Sequence, residues 1–291
     1  MKEQTRPDVV LVGAGIMSAT LGMLLKQLDP RVTIEILESL DLVAGESSNA
    51  WNNAGTGHAA LCELNYTPQR EDGSVDVSKA LSINESFEVS KQFWSYLVQA
   101  DVLQAPEAFI RAVPHLSFVR GGENVDFLTK RYQELRKHHL FSQMEFSEDP
   151  QVLAEWMPLV MEGRDPGEAV AATRALLGTD VNFGSLTRSM VDWLNAQEGV
   201  TVHLNQRVHG LHHGSDGRWH VHVQNKADGS KRTANTNFVF LGAGGGALPL
   251  LQKADIPEGK GFGRFPVSGQ AITDSHVGLR DEQRCRTTSA R

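Results

Sequence analysis

Cysteine is scarce in this sequence. Its 291 residues include only Cys62 and Cys285, and no C-x-x-C spacing is present. Two isolated cysteines indicate neither a disulfide framework nor a cysteine metal site, so we expect no metal. Long apolar runs are also missing, since no stretch approaches the roughly 20 residues that a membrane-spanning helix needs. The segment Met1–Pro7 has no apolar core of a signal peptide, which predicts a cytoplasmic location.

An excess of positive charge is absent as well. The formal net charge of −7 argues against the basic surface that nucleic-acid binding requires, so we expect no nucleic-acid partner. A hydrophobic content of 40% and a charged content of 22% are typical of a soluble globular protein. The chain is long enough for one doubly wound α/β domain and a second region.

One stretch near the N-terminus indicates the fold class. Val9–Val12 is an unbroken apolar run, as expected for a central parallel strand that is covered on both faces. Gly13 permits a tight turn, and Gly15 leaves the backbone open to a pyrophosphate at the start of a helix. Ser18 stands where the fingerprint G-x-G-x-x-G has its third glycine. A small residue there still permits close packing of helix against strand.

A second strand and an acidic residue extend this pattern. The strand Val32–Leu37 is followed directly by Glu38, where a carboxylate would accept hydrogen bonds from the adenosine ribose hydroxyls. Because a carboxylate disfavours a 2′-phosphate, the sequence predicts FAD or NAD rather than NADP. The alternative is an ordinary surface glutamate after an unrelated strand–turn–helix unit.

The long loop Gly45–His58 is rich in glycine, serine and asparagine. Its hydroxyls, amides and backbone N–H groups suit contact with a cofactor. A flexible surface loop is the alternative, and composition alone favours neither interpretation.

Periodicity predicts helices and strands along the rest of the chain. The predicted helices are 15–28, 77–100, 124–139, 150–157, 184–197 and 247–254, and the predicted strands are 115–120, 169–177, 200–204, 207–212, 219–224 and 237–241. Strands 200–204, 207–212 and 219–224 alternate their side chains with period two, which predicts a β-meander. A meander that returns to a buried strand and a second glycine turn, Gly242–Gly246, is typical of an FAD domain. The predicted cofactor is therefore FAD rather than NAD.

The sequence resembles the malate:quinone oxidoreductases, a family of flavoproteins within the glutathione-reductase-like group of the D-amino-acid-oxidase type. The blocks that carry the resemblance are Asp8–Ser18 with Leu37–Glu38, Ser47–Pro68, Gly178–Gly184 and Phe265–Gln270. They cover about residues 8–270. The resemblance implies a Rossmann-like FAD-binding domain, with a parallel sheet and a β-meander, and an α+β substrate domain.

The same resemblance implies a domain organisation. Residues 1–75 and 181–270 would form the two parts of the FAD-binding domain, and 76–180 would form a portion of the substrate domain. Residues 271–291 show neither sustained periodicity nor the family pattern, so we expect a disordered tail there. Because family members are longer, the fold is expected to be incomplete at the C-terminus.

The resemblance also implies the cofactor contacts. Gly13 and Gly15 would lie at the pyrophosphate, and Glu38 would lie at the adenosine ribose. The other implied contacts are Ser47 and Ser48 with the phosphates, Asn53, Gly55 and Thr56 beside the flavin, Val208 with the adenine through its backbone, and Gly242 at the second glycine turn.

Malate oxidation requires a base and cations for two carboxylates. His58, at the end of the loop, is the candidate base, and the alternative is a histidine hydrogen-bonded within a structured loop. Arg174 and Arg111 are candidate carboxylate clamps, and the alternative for each is an arginine in a surface or interdomain ion pair. A metal site among the histidines of the predicted hairpin strands is discounted, because the strands alternate faces and offer no carboxylate or cysteine partner. These histidines are His203, His209, His212, His213, His220 and His222.

Members of this family oxidise (S)-malate to oxaloacetate in the tricarboxylic acid cycle and pass the electrons to quinone. The resemblance therefore implies (S)-malate and quinone as partners. Without a membrane-spanning segment, contact with the membrane would be peripheral, on the inner face of the cytoplasmic membrane. The alternatives are another FAD-dependent 2-hydroxy or amino acid oxidoreductase, and an inactive truncated remnant of the family.

Overall fold

The computed structural model describes residues 6–263 and one further strand, 286–289. The strands are β1 (Val9–Val12), β2 (Ile34–Leu37), β3 (Ile110–Ala112), β4 (His115–Arg120), β5 (Glu145–Ser147), β6 (Val170–Ala175), β7 (Thr179–Val181), β8 (Val200–His203), β9 (Gln206–His213), β10 (Trp219–Asn225), β11 (Lys231–Thr236), β12 (Phe238–Leu241) and β13 (Arg286–Ser289). The α-helices are α1 (Ile16–Leu28), α2 (Ser78–Gln99), α3 (Gly122–Leu135), α4 (Pro150–Trp156), α5 (Pro158–Met161), α6 (Phe183–Asn195) and α7 (Ala247–Lys253).

The chain divides into two compact units. The first comprises Met1–Gly55, Asp101–Phe109 and Asn182–Gln270, and the second comprises Thr56–Ala100, Ile110–Val181 and Ala271–Arg291. The boundaries at residues 76 and 181, which the family resemblance implies, stay predictions.

Two predictions concern residues near the C-terminus. The block Phe265–Gln270 lies outside the described residues, and so does most of the expected disordered tail 271–291. Within that tail the structure has strand β13, which pairs in parallel with β4. Pairing through the backbone at a sheet edge needs no side-chain periodicity, and the expectation of disorder for the tail as a whole stays a prediction.

The first unit is built on a four-stranded parallel sheet with the order β12-β1-β2-β8. Every residue of β1 and β2 is buried. Parallel strands that are covered on both faces require this nearly continuous apolar pattern. The arrangement confirms the Rossmann-like fold that the apolar run before Gly13 predicts.

A buried lysine connects the end of α1 to the turn between α6 and β8. The ammonium group of Lys26 donates hydrogen bonds to the carbonyls of Val32 and Glu198, at 3.2 and 2.9 Å.

Helix α6 begins after Asn182, whose Oδ1 accepts a hydrogen bond from the Ser185 N–H at 2.9 Å. This side-chain cap fixes the residue at which α6 begins. After α6 the chain enters β8, which pairs with β2.

The β-meander is confirmed, but its strands differ from the prediction. The structure has a three-stranded antiparallel sheet in the order β11-β10-β9. The strand predicted at 200–204 corresponds to β8, which instead joins the parallel sheet beside β2. The third strand of the meander is β11, which we missed because its sequence, Lys-Arg-Thr-Ala-Asn-Thr, is polar. Period-two alternation identifies a strand, but it does not determine which sheet the strand joins.

A buried carboxylate connects the meander to the parallel sheet. Glu35 on β2 is only 2% exposed, and its Oε1 accepts hydrogen bonds from Arg232 on β11 and from His203 on β8. Burial raises the pKa of Glu35, but the hydrogen bonds from His203 and Arg232 and the charge of Arg232 more than offset this effect. The pKa of Glu35 therefore lies below its ordinary value.

Replacing Arg232 by alanine is expected to lower the free energy of unfolding by about 2 kcal/mol at pH 7, because the buried Glu35 carboxylate loses a charged hydrogen-bond donor. The Arg232 side chain itself is 37% exposed. The folded-state pKa of Glu35 is lowered, so the stabilisation is complete above the ordinary glutamate pKa of about 4.3 and is lost as the pH falls below it. Urea unfolding at pH 7 and pH 4 measures this. The control is Lys231→Ala at an exposed neighbour on β11. Equal losses in the two variants would contradict the role of the pair.

The second unit contains a mixed sheet with the order β13-β4-β6-β5 and a separate antiparallel pair, β3 and β7. Alternate residues of β4 face opposite sides. Leu116 packs with Leu153 of α4 on one side, and Val119 packs with Leu128 of α3 on the other. This is the α+β character that the resemblance implies. Strands β3, β5 and β7 were missed, because three residues are too few to show a period.

The longest helix among the described residues is α2, with 22 residues, and it buries Phe87, Trp94 and Leu97. Within the described residues, no helix combines the length and apolar character that crossing a membrane requires.

Candidate dinucleotide cleft and acid–base cluster

The turn between β1 and α1 requires glycine at position 13. Gly13 has a φ of +93°, and a Cβ added there would lie 2.7 Å from the carbonyl oxygen of Gly242. Both the backbone conformation and the close approach therefore exclude a side chain. The contact brings the first glycine turn against the second one, at Gly242.

The N-terminus of α1 opens next to this turn. The Ile16 N–H donates to Ser48 Oγ at 2.9 Å, and a Cβ added at Gly15 would meet that same oxygen at 3.4 Å. Gly15 supplies no capping side chain, and the first turn of α1 has no acidic residue. A helix start with small, polar neighbours suits an anion such as a phosphate.

The carboxylate of Glu38 is fixed at the end of β2. Its Oε2 accepts from the Ala14 N–H at 2.7 Å, and its Oε1 accepts from the Leu40 N–H at 2.8 Å. Glu38 is 8% exposed. A carboxylate held by backbone donors keeps further lone pairs for ligand hydroxyls.

These features line one cleft of about 850 Å³ in the first unit. Its volume is within the range of small-molecule and cofactor sites. The predicted cofactor residues that line it are Gly13, Gly15, Glu38, Ser47, Ser48, Val208 and Gly242. Arg207, Lys226 and Lys253 line it too; these cations were not predicted, because isolated basic residues in a sequence carry no signal of a shared site. Two glycine turns, a helix start, a fixed carboxylate and cations together fit a dinucleotide.

The three residues predicted beside the flavin do not line this cleft. Asn53 shapes its own loop: its Nδ2 donates to the carbonyls of Asn49 and Ser47, and its Oδ1 accepts from the Gly55 N–H at 2.8 Å. Thr56 forms an isolated bridge with Asp180. Their contact with flavin stays a prediction.

In the second unit, His58 lies between a carboxylate and a phenol. His58 Nδ1 is 3.1 Å from Glu63 Oε1, and His58 Nε2 is 2.6 Å from the Tyr66 hydroxyl oxygen. The hydrogen bond to Glu63 raises the pKa of His58 above its ordinary value, against the opposing effect of burial. Sequence reasoning found His58 but missed both partners, because their proximity depends on how the intervening loop folds.

The candidate clamp arginines have other partners. Arg174 Nε donates to Glu145 Oε2 at 2.6 Å, and the guanidinium lies 4.4 Å from the centre of the Trp156 ring. Arg111 on β3 lies opposite Asp180 on β7. Arg174 thus has the ion pair that the alternative interpretation assigned to it, and a substrate role for either arginine stays a prediction.

Four histidines of the meander share one face, contrary to the alternating faces assumed from the sequence. The His212 ring stacks on His220 and His222, with centroids 5.0 and 5.1 Å apart, and His209 stacks on His222 at 6.0 Å. The register of β9 against β10 shifts at His222, which brings His209 into the stack. Burial and the neighbouring histidines lower the pKa of His222. Within the described residues, no three metal-ligating side chains are arranged to hold a metal ion.

The architecture matches solved oxidoreductases. The L-α-glycerophosphate oxidase of Mycoplasma pneumoniae, solved with FAD bound, matches with a TM-score of 0.54 at 13% identity, covering 81% of this chain and 53% of that one. The glycine oxidase of Geobacillus kaustophilus matches with a TM-score of 0.57 at 15% identity, covering 80% of this chain and 54% of that one. At such identities the likeness shows a shared fold, which is that of the FAD-dependent oxidoreductases.

Sequence comparison identifies the family within this class. The family model of malate:quinone oxidoreductase matches residues 5–286. A probable malate:quinone oxidoreductase of Flavobacterium psychrophilum is 58% identical over 269 residues, which are 92% of this chain and 54% of that protein. The chain belongs to the malate:quinone oxidoreductase family. It spans about half the length of the curated relatives it matches, and the family match extends past Gln270, where the blocks recognised in the sequence end.

Proposed function

We propose that this chain binds FAD and oxidises (S)-malate to oxaloacetate, passing the electrons to quinone. The observation that carries the proposal is membership of the malate:quinone oxidoreductase family across residues 5–286. The cleft of the first unit supports it, because its residues fit a dinucleotide.

In this proposal different residues of the cleft contact different parts of FAD. Gly13 and Gly15 admit the pyrophosphate to the start of α1, with Ser47 and Ser48 beside it, and Glu38 accepts hydrogen bonds from the ribose. Val208 meets the adenine through its backbone, and Gly242 keeps the second turn close. Asn53, Gly55 and Thr56 lie beside the flavin, which accepts two electrons when it is bound.

His58 is the proposed base for the C2 hydroxyl of malate. Glu63 holds Nδ1–H, which leaves Nε2, on the side of the Tyr66 hydroxyl, as the nitrogen that takes up the proton. The malate carboxylates require cations, and Arg174 and Arg111 remain the candidates from the sequence. Arg174 would have to exchange its ion pair with Glu145 for the substrate.

Quinone is lipophilic, so we propose that the enzyme meets it at the membrane surface, as a peripheral protein on the inner face of the cytoplasmic membrane. Co-sedimentation with quinone-containing anionic vesicles tests this part alone. Binding that falls with rising salt is expected if the contact is electrostatic.

Substrate-dependent reduction of a soluble quinone analogue by the purified chain, supplied with FAD, tests the function. We expect (S)-malate to support reduction and (R)-malate, glycine and 2-hydroxyglutarate to support less. Preference for an amino acid or another 2-hydroxy acid would favour a related oxidoreductase. Flavin retention without any turnover would favour a chain that keeps the fold and has lost the activity.

A further inference from the structure

We propose that Tyr66 is the group that contacts the substrate hydroxyl, and that His58 and Glu63 act through it as a proton relay. The inference rests on the function proposed above. It is drawn from the juxtaposition of a carboxylate, an imidazole and a phenol in the loop between residues 56 and 67.

The hydrogen bonds determine the order of the relay. A carboxylate at Nδ1 makes that nitrogen the protonated one, so Nε2 of neutral His58 has a free lone pair. The only proton available across the 2.6 Å contact is then that of the Tyr66 hydroxyl. Tyr66 therefore donates to Nε2 and occupies the position that a substrate hydroxyl would need for direct contact with His58.

The reaction step follows from this order. The C2 hydroxyl of malate donates its proton to Tyr66 Oη as the Tyr66 proton moves to His58 Nε2. A bound flavin would supply the two-electron oxidation by taking up the hydride from C2, and the C2–O bond would then become a carbonyl. His58 ends as imidazolium beside the Glu63 carboxylate, which stabilises that charge.

The protonation states suit a relay. Burial, followed by the negative charge of Glu63, raises the pKa of Tyr66, so the phenol stays protonated and never has to persist as phenolate. Burial raises the pKa of Glu63, but the hydrogen bond from His58, a backbone hydrogen bond and the charges of His58 and His115 together outweigh this effect. The pKa of Glu63 therefore lies below its ordinary value, and the carboxyl group is ionised. The other charged or titratable groups near the Glu63–His58–Tyr66 cluster come from the loop and from the elements around it. They are Lys79 of α2, His115 of β4, Arg131 of α3 and Cys62 of the loop itself.

Lys79 adds a cation at this site. Its ammonium lies 4.8 Å from the centre of the Tyr66 ring, and the side chain is exposed. In a 2-hydroxy acid the carboxylate is attached to the carbon that bears the hydroxyl. A substrate hydroxyl at Tyr66 would therefore place that carboxylate within reach of a neighbouring cation.

The loop is held rigidly by buried side chains from three elements. The carbonyl of Ala59 accepts from Asn84 Nδ2 at 2.8 Å, and that of Cys62 accepts from Ser117 Oγ at 2.9 Å. Arg131, fully buried, donates to the carbonyls of Ala60 and Leu61. Four consecutive carbonyls between His58 and Glu63 are thus fixed, which preorganises the relay.

NMR titration of histidine-labelled full-length chain without cofactor tests the geometry, with His58→Asn to assign the signal. We expect the Nδ1–H tautomer and a His58 pKa above its ordinary value. Glu63→Gln should lower that pKa. Tyr66→Phe should raise it further, because the neutral imidazole loses its donor. An unchanged His58 pKa in Tyr66→Phe would overturn the relay.

Anaerobic flavin reduction by (S)-malate tests the role in catalysis. The relay predicts that Tyr66→Phe slows reduction at least about tenfold, within the range for general acid–base groups. Reduction at the wild-type rate would mean that His58 contacts substrate directly and would overturn the proposal. A wild-type chain that malate does not reduce would overturn the proposed function, and the NMR titration would still decide the relay.

Discussion

Gly15→Ala is expected to weaken FAD binding while leaving the fold intact. The added Cβ meets only Ser48 Oγ, at 3.4 Å, which is ordinary contact, so the protein without cofactor accommodates it. The same methyl group projects where the proposed pyrophosphate approaches the backbone. We expect the Kd for FAD to rise by at least about tenfold, or about 1.4 kcal/mol, as measured by quenching of FAD fluorescence.

Two variants serve as controls for this result. Gly122→Ala has no atom within 4 Å of the added Cβ and should change neither stability nor FAD affinity. Gly13→Ala, by contrast, should destabilise the fold itself, because its Cβ would collide with the Gly242 carbonyl. Wild-type FAD affinity in a folded Gly15→Ala variant would contradict the placement of the pyrophosphate.

His58→Asn is expected to lower kcat/KM for (S)-malate by about 10²- to 10⁴-fold, the usual effect of losing a general base. The pH profile follows from the raised pKa of His58. Only neutral His58 accepts a proton, so the wild-type rate should fall as the pH drops through a pKa above 6.5. In Glu63→Gln the midpoint should move to lower pH, because the hydrogen bond that raises the pKa is lost. Measurement of kcat/KM between pH 5 and pH 9 in the three proteins decides this.

Measuring FAD retention together with the rate of flavin reduction would distinguish a loss of catalysis from a loss of folding. His58→Asn and Glu63→Gln should both retain FAD, since His58 and Glu63 lie outside the described cleft. A His58→Asn variant that turns over malate at the wild-type rate would exclude His58 from proton transfer.

Much of the lining of the cleft in the first unit was predictable, because its signals are local in the chain. A strand, two glycines and a helix follow one another, and Glu38 comes directly after the second strand. The fold brings Val208 and Gly242 to the same cleft. The second glycine turn was recognisable for the same reason. The cations Lys226 and Lys253 depend on long-range packing that no short pattern encodes.

Other features depend on register and loop geometry. Strand β8 was assigned to the wrong sheet, since alternation does not specify a pairing partner. The stacked histidines follow from cross-strand register and a bulge at His222. Glu63 and Tyr66 meet His58 only because buried side chains such as Arg131 shape the loop between them.

The most direct test of the central proposal is the visible spectrum of the purified chain, supplied with FAD, before and after anaerobic addition of (S)-malate. The account predicts a bound-flavin spectrum whose oxidised band is bleached by (S)-malate and unaffected by (R)-malate. A chain that retains no flavin, or a flavin band that (S)-malate leaves oxidised, would contradict it.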